Sequence, residues 1–87
     1  MNRKKLFHNR LLNLDDGSYD VFYQDKRYLL SKQTQIKGKL IKVYAQKLGD
    51  NDFISLNYYT NIGKGLLKPC EMPEEKVIDF VLGLVVN

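Results

Sequence analysis

The sequence predicts an α+β, β-rich fold, an antiparallel meander of four to five strands packed by one C-terminal helix. Three observations lead there. From Tyr19 onward, β-branched and aromatic residues come in short runs parted by turn residues. Two of these runs, 40–48 and 53–59, alternate apolar and polar residues with the period of a half-buried strand. A single segment after Pro73 carries apolar residues at helical spacing. Strands followed by a helix, joined by short connections, pack as a sheet with the helix on one face. At 87 residues the chain is one domain, 1–87, with one small core.

Residues 1–16 form a basic leader that ends at the turn signal Asp15-Asp16-Gly17-Ser18. Phe7, Leu11, Leu12 and Leu14 approximate a helical stripe beside Arg3, Lys4, Lys5 and Arg10, so the leader reads as a short amphipathic helix or a partly flexible segment.

Tyr19 to Gln24 and Arg27 to Gln33 read as a hairpin about Asp25-Lys26, a turn without the usual glycine. In that register Tyr23 faces Tyr28, Val21 faces Leu30, and Phe22 lies beside Leu29 on the other side. Both sides carry apolar groups, so both are expected to be covered.

In the longest strand candidate Ile41, Val43 and Ala45 alternate with Lys42, Tyr44 and Gln46. After Gly49-Asp50-Asn51-Asp52, Ile54, Leu56 and Tyr58 alternate with Ser55, Asn57 and Tyr59. Opposed residues share a face, so the loop must hold an even number of residues. A four-residue loop, Gly49 to Asp52, pairs Val43 with Tyr58 and Ala45 with Leu56 inward. It places Lys42 beside Tyr59 and Tyr44 beside Asn57 outward. Tyr58 and Tyr59, being adjacent, point to opposite faces.

Asn61 to Gly65 is a flexible connector, and Leu66 to Lys68 adds a short edge strand. Pro73 suits a first helical position, and Glu74 and Glu75 complement the positive end of the helix dipole. Val77, Ile78, Val81, Leu82 and Val85 then recur at helical spacing. Gly83 weakens the last turn, and Leu84 to Val86 reads as an extended tail. The main variant of this architecture closes the strands into a small barrel of the SH3-like or OB kind.

Composition narrows the classes. No run of about 18 apolar residues is present, and polar residues from His8 to Asn13 break the apolar stretch that a signal peptide needs. With a lone Cys70 rather than paired cysteines, the sequence reads as cytoplasmic and without a membrane partner. His8 and Cys70 fall short of a zinc set, and the Gly49 loop is too short for calcium, so neither metal nor cofactor is expected. Gly63-Lys64-Gly65 lacks the spacing and the Ser or Thr of a phosphate loop. Glu71 beside Cys70 disfavours a thiolate, and His8 reads as a solvated surface residue. With no nucleophile, base or metal set, the expectation is a non-enzymatic protein.

The net charge of +4 divides unevenly: residues 1–49 hold eleven Lys or Arg against four Asp, and residues 50–87 hold three against six acids. Between Lys26 and Lys47 every charged residue is positive. Arg27, Tyr28, Lys32, Lys39, Lys42, Tyr44 and Tyr59 are therefore the candidate binding residues. Exposed aromatic and apolar groups on a sheet face or edge favour a protein partner or self-association. Cations interleaved with rings also match how single-stranded nucleic acid is held, which is the alternative.

Overall fold

The side-chain oxygen of Asn2 accepts the backbone N–H groups of Lys4 (2.9 Å) and Lys5 (3.4 Å), which caps a helix, α1 (Arg3–Asn13). Phe7 and Leu11, four residues apart, supply its buried stripe. The leader takes a helix over this span in the computed structural model, which describes residues 2–86.

A hairpin follows, β1 (Gly17–Tyr23) and β2 (Lys26–Gln35), and its turn is Gln24-Asp25. Both turn residues take left-handed φ, 50° and 61°, the requirement of the tight turn whose twist matches the strands. Tyr23 therefore pairs with Lys26 and Val21 with Tyr28, a register two residues away from the expected one. A slip of two leaves every side chain on its expected face. Within the chain only one face of this hairpin is covered, and Phe22 and Leu29 on the other stay 37% and 46% exposed.

β3 (Leu40–Lys47) pairs with β2 and with β4 (Phe53–Tyr59). Here too the register differs by two: Val43 meets Leu56, Ile41 meets Tyr58, and Lys42 meets Asn57. The reason lies in the loop. The Lys47 N–H donates to Asp52 O at 3.0 Å and closes the loop one residue earlier on each strand than expected, while the Leu48 N–H donates to Arg27 O of β2 (3.0 Å). Asp50 accepts the N–H groups of Asn51 and Asp52, and the Gln46 amide donates to the carbonyls of Asp50 and Asp52. These bonds satisfy the backbone of the displaced loop.

β5 (Leu66–Pro69), α2 (Glu74–Gly83) and β6 (Val85–Val86) complete the chain. The sheet order is β5-β4-β3-β2-β1-β6 with every pairing antiparallel. Six strands replace the expected four to five, because the extended tail after Gly83 joins the free edge of β1 through Val85 and Val86. β5 and β6 lie at opposite edges, so the sheet is open and the barrel variant is corrected. Pro73 stands one position outside the helix, at its N-cap, rather than inside it.

This topology fixes the position of α2. The chain leaves one edge at β5 and returns at the other as β6, five strand spacings or about 24 Å away, of which ten helical residues cover about 15 Å. Val77, Phe80 and Val81 of α2 meet Phe7 and Leu11 of α1 over the inward residues Val21, Leu30, Val43, Ala45 and Leu56, all of them buried. Phe80 sits between the rings of Tyr23 and Tyr28, at centroid distances of 5.1 and 5.0 Å. Both helices lie on this face and leave the other bare.

Candidate functional site

Strand alternation composes the bare face. Across it run the rows Ser18-Ser31-Tyr44-Ser55 and Asp20-Leu29-Gln46-Phe53, and then Gln33-Lys42-Asn57-Lys68. At the β6 end Val85 pairs with Phe22.

Two kinds of surface result. An apolar belt starts at Val85 and Phe22, passes Leu29 and reaches Phe53 and Tyr44, whose rings stack at 5.9 Å with an interplanar angle of 26°. Tyr44 remains 46% exposed, and its hydroxyl donates to Gln46 Oε1 at 2.8 Å. Beside the belt lies a polar trough of about 330 Å³ walled by Ser31, Gln33, Lys42, Tyr44, Ser55 and Asn57. Asp20, the one carboxylate in these rows, is paired to Arg27. Lys42 and Lys68 have no ion-pair partner among the described residues.

The expected binding residues divide between the two faces. Lys42, Tyr44 and Tyr59 share the bare face, although Lys42 and Tyr59 are diagonal neighbours rather than a directly opposed pair. Arg27 stands on the same face at its far end, tied to Asp20. Lys39 is exposed in the turn before β3, where its carbonyl accepts the Thr60 N–H at 3.0 Å. Tyr28 and Lys32 lie on the helix-covered face, each 4% exposed. Burial pushes the Tyr28 hydroxyl above its ordinary pKa, with the Asp52 carboxylate 3.4 Å away adding to the shift. Lys32 donates to Leu14 O and faces Asp16 at 3.6 Å.

Phe22 and Leu29 join the site through the alternation that places Val21 and Leu30 inward. Phe53, Ser55, Asn57 and Lys68 follow by the same rule once the register is known. His8 differs from expectation: it is half-buried, with Nδ1 at 2.5 Å from the Tyr58 hydroxyl. Nothing in the local sequence marks a contact that spans 50 positions.

Among the described residues no group of three or more His, Cys, Asp or Glu is placed to hold a metal ion, and no helix is long and apolar enough to cross a membrane. The chain matches no protein-family model, no curated protein and no solved structure at a significant level of similarity.

Proposed function

We propose that this protein is a non-enzymatic binding module whose working surface is the bare sheet face, and that its partner is a protein presenting an apolar strip flanked by carboxylates. The observation that carries the reading is the belt of Phe22, Leu29, Phe53 and Tyr44, which crosses four strands on a face that neither helix covers. Contiguous apolar surface rimmed by polar groups is the signature of a docking site. Lys42 and Lys68 beside it call for acidic groups opposite. A second copy would bring the same two lysines and a single carboxylate already paired to Arg27, so complementarity favours a different chain over self-association.

The test compares Leu29→Asp with Lys32→Met in affinity capture followed by binding to the purified captured protein. Leu29→Asp should weaken that binding about tenfold or more while leaving the unfolding midpoint nearly unchanged. Lys32→Met, altered on the covered face, should bind as the wild type does. Equal binding by wild type and Leu29→Asp would refute the assignment.

A second reading rests on the trough. Its Ser, Gln and Asn side chains, with Lys42, Lys68, Tyr44 and Tyr59 around them, offer backbone cations and stacking rings to single-stranded nucleic acid. Fluorescence anisotropy with a labelled oligonucleotide distinguishes it: affinity should fall steeply with salt, and Lys42→Ala should flatten the slope. Affinity indifferent to salt would exclude this reading and leave the first standing.

A further inference from the structure

A second concavity lies on the other side of the molecule, between the N-terminal half of α1 and the connector that joins β4 to β5. Its volume is about 520 Å³, within the range of small-molecule sites. Lys4 and His8, four residues apart, and Lys5 line it from α1, and Lys64 lines it from the connector. Phe7, Leu66 and Leu67 form an apolar wall.

The charges are unbalanced. Glu74 is the one acid at the cavity wall, and Lys4 holds it at 3.3 Å. Lys5 and Lys64 have no ion-pair partner among the described residues. Two uncompensated ammonium groups from different elements thus border one cleft.

The floor anchors the imidazole. Tyr58 is 3% exposed, and burial raises its pKa, so at neutral pH the hydroxyl keeps its proton. The hydroxyl lies 2.5 Å from His8 Nδ1 and donates to Lys64 O at 3.5 Å, so helix and connector are both anchored on it. In the tautomer that accepts at Nδ1, the imidazole carries its proton on Nε2. Nε2 has no hydrogen-bond partner among the described residues, and in that tautomer it donates from the cavity wall. Gly65 locks this arrangement: a Cβ at that position would fall 1.8 Å from the Tyr58 hydroxyl oxygen, so only glycine lets the connector close over the ring.

We propose that this cavity binds a small phosphate-bearing molecule with an apolar or ring-shaped body, its phosphate held by Lys5, Lys64 and His8 Nε2 and its body against Phe7, Leu66 and Leu67. A phosphate oxygen accepts from ammonium and imidazole donors alike, and three donors from two chain segments match its several acceptors. The belt and the trough of the bare sheet face contribute no residue to this cavity.

Titrations followed by amide NMR test it with three probes, phenyl phosphate, inorganic phosphate and sulfate. Phenyl phosphate should give saturable shifts confined to the first turns of α1 and to Lys64 through Leu67. It should bind more tightly than either inorganic anion, because only it reaches the apolar wall. Lys5→Ala combined with Lys64→Ala should weaken binding about tenfold or more. Lys42→Ala combined with Lys68→Ala removes the same charge from the bare face and should leave binding unchanged. Absence of saturable shifts up to about 10 mM phenyl phosphate, well past a millimolar Kd, would overturn the proposal. Equal weakening by the two double variants would overturn it as well, since binding would then follow net charge alone.

Discussion

The ammonium of Lys32, in β2, donates to the backbone carbonyl of Leu14 at the C-terminal end of α1. It does so within the covered layer, where Lys32 is 4% exposed. A cation at this end of a helix complements the dipole and satisfies a carbonyl that the helix itself leaves without a partner. Asp16, 3.6 Å from the same ammonium and bonded to the Thr34 hydroxyl at 2.7 Å, extends the link toward solvent. Lys32→Met keeps the side-chain volume and removes the donor. The expected result is a loss of about 1–3 kcal/mol in urea unfolding, the cost of an unpaired buried carbonyl. An unchanged midpoint would show that water replaces the ammonium.

Gly65 and Gly49 form a matched pair for separating steric from conformational cost. Both have left-handed φ, 109° and 78°, but a Cβ meets nothing within 4 Å at Gly49 and strikes Tyr58 at Gly65. Gly49→Ala should lose about 1 kcal/mol for the backbone alone. Gly65→Ala should lose about 3 kcal/mol or more, because Tyr58 or the connector must also move. Equal losses by thermal unfolding would mean that the connector does not press on the ring.

Ile36 offers the opposite sign. A β-branched residue at φ 53°, in a turn with Lys37 at φ 53° and Gly38 at φ 88°, is sterically strained, and at 62% exposed it gains little from burial in return. Ile36→Asn, which tolerates this conformation, should raise stability by about 0.5–1 kcal/mol. A lowered urea midpoint would show that the isoleucine makes a contact worth more than its strain.

The acid limb of the stability profile follows from three carboxylates held below their ordinary pKa. For Asp16 the leading cause is the Thr34 hydroxyl bond, for Asp50 the Lys47 bond, and for Asp52 the Lys76 bond at 2.7 Å. A lowered folded pKa means stability that is present above the unfolded value of about 4 and lost as pH falls through the folded one. The urea midpoint should therefore hold steady from pH 7 to 5 and fall below about pH 4, with Lys76→Met reducing the Asp52 share of that fall. Tyr19, Tyr28 and Tyr58, pushed upward chiefly by burial, act at the other end: their contribution is lost as pH rises past about 10. A midpoint unaffected between pH 5 and 3 would contradict these pairings.

The side of the sheet each strand residue occupies was legible because alternation has period two, and both registers slipped by two. The slips themselves were hidden. Gln24-Asp25 adopts a turn conformation that usually announces itself with glycine, and the second loop closes between Lys47 and Asp52, one residue earlier on each strand than its composition suggests. Tyr28 and Lys32 share parity with Leu30, so alternation assigns all three to the covered face, whereas closeness along the chain groups them with the exposed cations. β6 was invisible as a strand because two residues carry no period. The His8 and Tyr58 contact depends on how α1 lies across the sheet, which no local pattern encodes.

The path of α2 from one edge of the sheet to the other has a consequence during synthesis. Strands β1 to β5 pair with sequence neighbours, so this meander can zip up as soon as residue 69 is free of the ribosome. The lid over its oily side is drawn partly from residues 74–84, which emerge afterwards. For that interval the nascent sheet shows hydrocarbon on both sides, and it is then that a chaperone, or an unwanted neighbour, has its opening.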